Sequence, residues 1–257
     1  MGNTDLKKTA LTTLGLIDLT SLNDSDTPGV VLNLCKQTKN EFGSVAAVCI
    51  YRQFIQTARE YFSGHKLNIK IATVTNFPDG DDDIYKAVKE TEEAIRLGAD
   101  EVDIVFPYKA LIAGNDKIGV EIVNKARQVC GDKTLKVIIE SGELIKPELI
   151  ERASIISIEN GADFIKTSTG KVKINATLEA TRIMLNTIKS LNAKCGFKAA
   201  GGIRSVAEAA QYLQLAYEIM GDNWVNANNF RFGASSLLQD VLDVLNGNQS
   251  SGNANSY

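Results

Sequence analysis

Short apolar runs rich in β-branched residues alternate along this chain with longer amphipathic stretches, from near the N-terminus almost to the end. The period-two and buried runs predict strands over 15–20, 45–51, 69–75, 101–106, 135–140, 163–167, 196–199 and 230–233. Between and after them, apolar residues recur at helical spacing over 30–39, 54–62, 82–97, 117–130, 147–159, 178–191, 207–220 and 236–245. Strands that alternate with helices imply βαβ units and a parallel sheet. Eight evenly spaced units of about 32 residues favour closure into a (β/α)8, or TIM, barrel over an open doubly wound sheet. The expected organisation is one α/β domain over 1–245 and a flexible tail over 246–257, rich in Asn, Gly and Ser and ending on Tyr257.

A weak internal repeat sharpens that picture. Leu-Gly-Ala-Asp-Glu-Val-Asp103-Ile echoes Asn-Gly-Ala-Asp-Phe-Ile-Lys166-Thr. In each copy a helix ends on glycine and the chain drops directly into a strand. The copies lie two βα units apart, so both belong to even-numbered strands. In an eight-stranded barrel the inward side chains of alternate strands share a layer. Asp103 and Lys166 are therefore expected to face each other inside it.

Composition removes several kinds of function. The chain has 257 residues, 44% hydrophobic and 23% charged, with a net charge of −3. So mild an acidity gives no footprint for nucleic acid or an anionic membrane surface. No apolar run reaches membrane-spanning length, and residues 1–8 are too polar for a signal sequence. The four cysteines are scattered without a Cys-x-x-Cys pair, which suggests a reduced, cytoplasmic protein. His65, in a polar stretch, is the single histidine; a Ser-His-Asp triad or a multi-histidine zinc site would have to rest on it alone.

Two lysines occupy positions that should be apolar: Lys166 in Asp-Phe-Ile-Lys-Thr-Ser-Thr-Gly and Lys198 in Cys-Gly-Phe-Lys-Ala-Ala-Gly-Gly. Lysine is almost never fully buried without compensation, and a lysine so held loses proton affinity. A neutral amine at physiological pH is what a Schiff-base enzyme needs. On adjacent strands the two ammonium groups would lie about 6 Å apart and repel by roughly 3 kcal/mol at an effective dielectric near 20. Asp103 then serves as partner to whichever lysine keeps its proton. The competing explanation is a Lys–Asp–Lys ion network that only holds the barrel together.

The loops after the last three strands read Thr167-Ser168-Thr169-Gly170-Lys171, Gly201-Gly202-Ile203-Arg204-Ser205 and Gly233-Ala234-Ser235-Ser236. Glycines let backbone amides approach an anion, and the serines open the last helix, where the dipole favours negative charge. Together they point to phosphate, with Lys171 or Arg204 adding charge. Taken singly, each is also compatible with an ordinary turn carrying a serine N-cap. Asp18, Thr20 and Asn23 are polar around the end of the first strand, where a substrate would sit, with Asp18 either orienting a hydroxyl or joining the polar network. Cys49, near the end of the second, either lines the pocket or is a small core residue. The acidic run 79–83 is expected to cap a helix and stay solvated.

Taken together, Asp-Phe-Ile-Lys166-Thr-Ser-Thr-Gly, Gly-Phe-Lys198-x-Ala-Gly-Gly, Glu-Val-Asp103-Ile-Val-Phe, Phe-Gly-Ala-Ser-Ser, Asp-Leu-Thr20-x-Leu-Asn23 and Thr-Val-Thr-Asn-Phe-Pro78 resemble the deoxyribose-phosphate aldolase family over nearly the whole chain. The resemblance implies a class I aldolase that needs no cofactor. It would cleave 2-deoxy-D-ribose 5-phosphate to glyceraldehyde 3-phosphate and acetaldehyde in deoxynucleoside breakdown. It makes Lys166 the Schiff-base lysine, Lys198 its second lysine and Asp103 the proton-transfer aspartate. Gly170, Lys171, Gly201, Gly202, Gly233, Ser235 and Ser236 then fall on phosphate-binding loops, and Tyr257 matches a tail tyrosine that could help move a proton. The chain departs from the pattern at Ala199 and Arg52, where the family often has proline. The expected partners are small phosphosugars and aldehydes; the sequence leaves a homodimer open.

Overall fold

Residues 3–250 are described by a computed structural model, in which eight parallel strands close into a barrel. They are β1 (Ile17–Ser21), β2 (Ala47–Ile50), β3 (Lys70–Thr75), β4 (Glu101–Val105), β5 (Thr134–Ile138), β6 (Phe164–Lys166), β7 (Gly196–Ala200) and β8 (Phe230–Ala234). Each strand pairs with its sequence neighbours, and β8 closes the circle on β1 with Asp18 opposite Gly233. The strands and outer helices fall within a few residues of their expected spans. The TIM barrel read from the hydrophobic pattern is the fold.

The helices are α1 (Asn3–Leu14), α2 (Pro28–Lys36), α3 (Ile55–Gly64), α4 (Ile84–Arg96), α5 (Tyr108–Ile112), α6 (Asp116–Cys130), α7 (Ser141–Leu144), α8 (Pro147–Glu159), α9 (Leu178–Ser190), α10 (Val206–Met220) and α11 (Leu237–Leu245). Their starts are chemically marked. The Thr27 hydroxyl accepts from Val30 with Pro28 at the first helical position, and Thr177 caps α9 by accepting from Ala180. Ser205 and Glu208 form a reciprocal capping box on α10. Within the acidic run, Asp83 caps α4 by accepting from Lys86. Helices α1, α5 and α7 were not foreseen. In α1 only Leu6, Ala10 and Leu14 mark a packed stripe, a pattern too short to separate from a polar leader.

The repeated motif proves to be a repeated device. Helices α4 and α8 both end in a glycine with positive φ, Gly98 at 94° and Gly161 at 98°. The next residue of each turns back onto the helix, Ala99 to Ala94 and Ala162 to Ser157. Each aspartate that follows then binds the preceding strand and an arginine of an earlier helix. Asp100 accepts from the Ile71 amide and from Arg59, and Asp163 from the Leu135 amide and from Arg127. The two strands therefore enter the barrel at matched heights, which sets the position of their fourth residues, Asp103 and Lys166.

Alternation along the strands divides the interior from the helix-facing core. Val102 and Ile104 of β4, Leu135 and Val137 of β5 and Ile165 of β6 join one apolar cluster with the helices. Glu101, Asp103, Lys136 and Lys166 point the other way, into the barrel, where they form ion pairs. A small apolar cluster of Leu22, Cys49, Ala72 and Val74 fills the β2–β3 side of the interior. The tail expected from 246 is hydrogen-bonded as far as Ser250, whose hydroxyl donates to Asp240. Tyr257 lies outside the described residues.

Candidate active site

Asp103 is the hub of the interior. Its Oδ2 accepts from Lys166 at 2.9 Å and from Lys198 at 2.8 Å, and its Oδ1 from Lys136 at 2.7 Å. Lys166 and Lys198 are direct partners in the β6–β7 register, as are Asp103 and Lys136 between β4 and β5. Sharing one carboxylate oxygen keeps the two predicted lysines within the separation that their sequence positions imply. A second aspartate, Asp18, takes Lys198 at 2.5 Å and Arg231 at 2.6 Å. Glu101 pairs with Lys136 at 2.5 Å and with Arg231 at 3.2 Å.

Burial makes these contacts decisive. Lys136, Lys198, Asp18 and Asp103 have no exposed surface, and Lys166 retains 3%. Burial lowers the Lys166 pKa; Asp103 opposes that, and Lys198 adds to the lowering. Loss of hydration is therefore the first cause, and the repulsion expected from Lys198 is a smaller contribution. For Lys198 burial acts the same way but is outweighed by Asp103 and Asp18, so its pKa rises and it stays charged. Lys136 is likewise raised, because Asp103, Glu101 and Asp18 overcome its desolvation. Burial pushes the Asp103 pKa up, yet Lys136, Lys166 and Lys198 together hold it well below the usual carboxylate range. One amine has its proton affinity lowered while its neighbours keep their charges.

Above this layer the barrel mouth opens into a cleft of about 440 Å³, a size suited to a small metabolite. Lys166 lines it; Lys198, Lys136 and Asp103 do not. Of the predicted site residues, Thr20, Asn23, Thr169, Gly170, Lys171, Gly201, Gly202, Arg204, Gly233, Ser235 and Ser236 all reach this cleft. Gly201 and Gly202 have φ of 85° and 86°, which favours glycine, and so turn the chain sharply over the mouth. Gly233 is required for a different reason. A Cβ there would sit 3.0 Å from Lys198 Cε and 2.9 Å from Ala200 Cβ, so its absence is what admits the lysine. Ser236 precedes α11 without making a side-chain cap bond, unlike Ser205 and Thr177. Its hydroxyl is therefore not engaged in the ordinary capping that the sequence left open.

Two predicted residues sit elsewhere than at a substrate surface. Asp18 belongs to the sealed ion network beneath the cleft, which explains its polarity without a substrate hydroxyl. Cys49 is fully buried beside the same network, and burial pushes its thiol pKa up. Lys171 crosses the mouth and donates to the Leu22 carbonyl at 2.6 Å, joining the β6 and β1 loops. Sequence reasoning missed Lys136, Glu101, Arg231 and Glu140. Lys136 carries the same signal that exposed Lys166 and Lys198, a lysine inside an apolar strand run; it follows Leu135 and precedes Val137. Among the departures, Arg52 forms an ion pair with Glu93 at 2.9 Å, tying the turn after β2 to α4. Ala199 is buried in β7.

Comparison with known proteins agrees with this fold. The family model of the DeoC/LacD family aldolases matches residues 12–242. A structure from Toxoplasma gondii ME49, provisionally assigned as a deoxyribose-phosphate aldolase, is 25% identical with a TM-score of 0.87, covering 97% of this chain and 98% of that one. One from Coccidioides immitis with the same provisional assignment is 26% identical, with a TM-score of 0.80 and coverage of 95% and 98%. A protein called QR15, described as an aldolase, is 28% identical over 90% of this chain and 96% of its own, with a TM-score of 0.75. With the match running from the end of α1 into α11, the chain belongs to the DeoC/LacD family of aldolases.

Proposed function

We propose that the protein is a Schiff-base aldolase that reversibly cleaves 2-deoxy-D-ribose 5-phosphate to D-glyceraldehyde 3-phosphate and acetaldehyde, in the breakdown of deoxyribonucleosides. One observation carries this reading. Of the three interior lysines, only Lys166 lines the cleft, and only Lys166 has its proton affinity lowered, while Lys136 and Lys198 are held charged. An amine of lowered proton affinity at the floor of a mouth lined with glycine amides, serines and two basic side chains suits an aldehyde at one end and a phosphate at the other.

The steps follow from the charges. The Lys166 amine adds to the C1 aldehyde of the open-chain sugar, and loss of water gives a protonated imine. Removal of the C3 hydroxyl proton, through water, lets the C2–C3 electrons flow into the iminium. Glyceraldehyde 3-phosphate leaves, and the enamine of acetaldehyde stays on Lys166. Protonation of the enamine carbon and hydrolysis then release acetaldehyde. Lys198 keeps its proton and shares Asp103 Oδ2 with Lys166, so it is the proton donor best placed for carbinolamine dehydration. Asp103 stays ionised and links the two amines. No metal or organic cofactor enters any step.

The phosphate end falls to Ser235, Ser236, Gly170, Gly201, Gly202 and Gly233, with Lys171 and Arg204 as the cations. The test is an assay of 2-deoxyribose 5-phosphate cleavage, with glyceraldehyde 3-phosphate and acetaldehyde each measured. Equal release of both products is expected. Binding of the sugar phosphate without cleavage would indicate a carrier instead. Activity confined to ketone donors would indicate another lysine aldolase.

A further inference from the structure

The interior holds more cations than the proposed reaction uses. Lys136 and Arg231 lie below the cleft, touch neither Lys166 nor the mouth, and pair with Asp18, Glu101 and Asp103. The sealed network therefore contains three carboxylates, Asp18, Glu101 and Asp103, against four basic groups, Lys136, Lys166, Lys198 and Arg231. With every group charged, one positive charge is left over, and an unbalanced charge in a buried site is strongly disfavoured. Three against three is reached when one base is neutral. Lys166 has the fewest acid contacts of the four: a single bond to Asp103, while each of the others makes at least two acid contacts.

The other groups facing Lys166 stand outside this ion-paired set. From β2, Cys49 is a buried thiol whose pKa burial pushes up, which leaves it uncharged. From β3, the interior receives Ala72 and Val74. Beyond β5, Glu140 makes no ion pair among the described residues. The Thr169 amide donates to its carboxylate at 3.2 Å; burial pushes its pKa up, and that hydrogen bond and the Lys166 charge oppose the rise.

Resting on the Schiff-base reading above, we propose that Lys136 is a positioning residue for Lys166. By holding Asp103 Oδ1 it aims Oδ2 at both upper amines, and it supplies the surplus cation that Lys166 relieves by giving up its proton. Glu101 is the counterweight, the acid that sets how large the surplus is. Lys198 is then one contributor to the reactivity of Lys166 rather than its sole cause.

The experiment measures covalent trapping of acetaldehyde by cyanoborohydride as a function of pH, with peptide mapping of the modified lysine, on the full chain. In the unaltered protein the adduct forms on Lys166, at a rate that rises with pH through a midpoint. Lys136→Met removes the surplus, so that midpoint moves to higher pH by about one to two units, and trapping at neutral pH falls roughly 10- to 100-fold. Glu101→Gln enlarges the surplus and moves the midpoint to lower pH; it tests the idea by itself if Lys136→Met does not fold. The double variant restores the balance and returns the midpoint toward that of the unaltered protein. A purely structural role for Lys136 would reduce the amplitude of trapping or the melting temperature and leave all the midpoints together, and that result overturns the proposal. Trapping on Lys166 with unmoved midpoints defeats this inference alone. Absence of any Lys166 adduct in the unaltered protein defeats the Schiff-base reading and this inference with it.

Discussion

Two layers of the same barrel treat polar side chains in opposite ways. In the sealed layer, charged groups are matched to one another: Asp103 takes three lysines, and Arg231 spans Asp18 and Glu101. At the mouth, at the ends of β6 and β8 and in the loops beyond them, donors are left to face the cleft: Lys166, Ser235, Ser236 and the glycine turns. The lower layer fixes charge and the upper layer offers it. Lys166 belongs to both, bonded downward to Asp103 and open upward to the cleft. The chemistry proposed for it rests on that boundary position: its proton affinity is lowered, while Lys136 and Lys198, with the same side chain and deeper burial, remain charged.

Changes at the boundary should have the largest effects. Lys166→Leu is expected to reduce cleavage to background while the melting temperature changes little, because an apolar residue of similar size replaces a buried amine. Circular dichroism and a coupled assay check the two halves. Lys198→Leu should lower kcat at neutral pH by about 10²- to 10⁴-fold through loss of the proton donor. The sign of the pH effect follows from charge. Removing a cation beside Lys166 raises its pKa, so the rising limb of the activity profile moves to higher pH. An unshifted profile would show that Lys198 does not influence the amine electrostatically.

Between the layers, Gly233→Val puts side-chain atoms where Lys198 Cε now passes, at a contact already 3.0 Å for the first carbon. A displaced lysine should cost about 10²-fold in kcat, with KM moving less. The smallest effect is expected at the mouth alone. Ser236→Ala should raise KM for the phosphorylated sugar about tenfold, the worth of a hydrogen bond to a charged group, and for unphosphorylated deoxyribose far less. Equal changes for both sugars would remove Ser236 from phosphate recognition.

The sequence made the barrel legible because its strands are separated by helices whose ends are chemically marked, such as Thr27-Pro28, Ser205 with Glu208, and the glycines after α4 and α8. The repeat around Asp103 and Lys166 went further. Matching glycine, alanine and aspartate placed the two strands at equal height, and the two side chains meet as the repeat implies. The network beneath them was only half visible. Lys136 stood in a strand run like the other two lysines but without a glycine-rich loop after it. Glu101 and Arg231 lie at or near strand starts, where a charge is ordinarily solvated. Their burial depends on what closes the far end of the barrel, and hydrophobic periodicity carries no information about that. The weighting of causes also needed three dimensions. Adjacent strands implied repulsion between Lys166 and Lys198, but the larger influence of burial depends on how completely the interior excludes water.

The most direct measurement is reduction of the protein with borohydride in the presence of acetaldehyde, followed by peptide mapping. The account predicts a single ethylated interior lysine, Lys166, with Lys136 and Lys198 unmodified. Ethyl groups on Lys198 or Lys136, or on surface lysines alone, would contradict it.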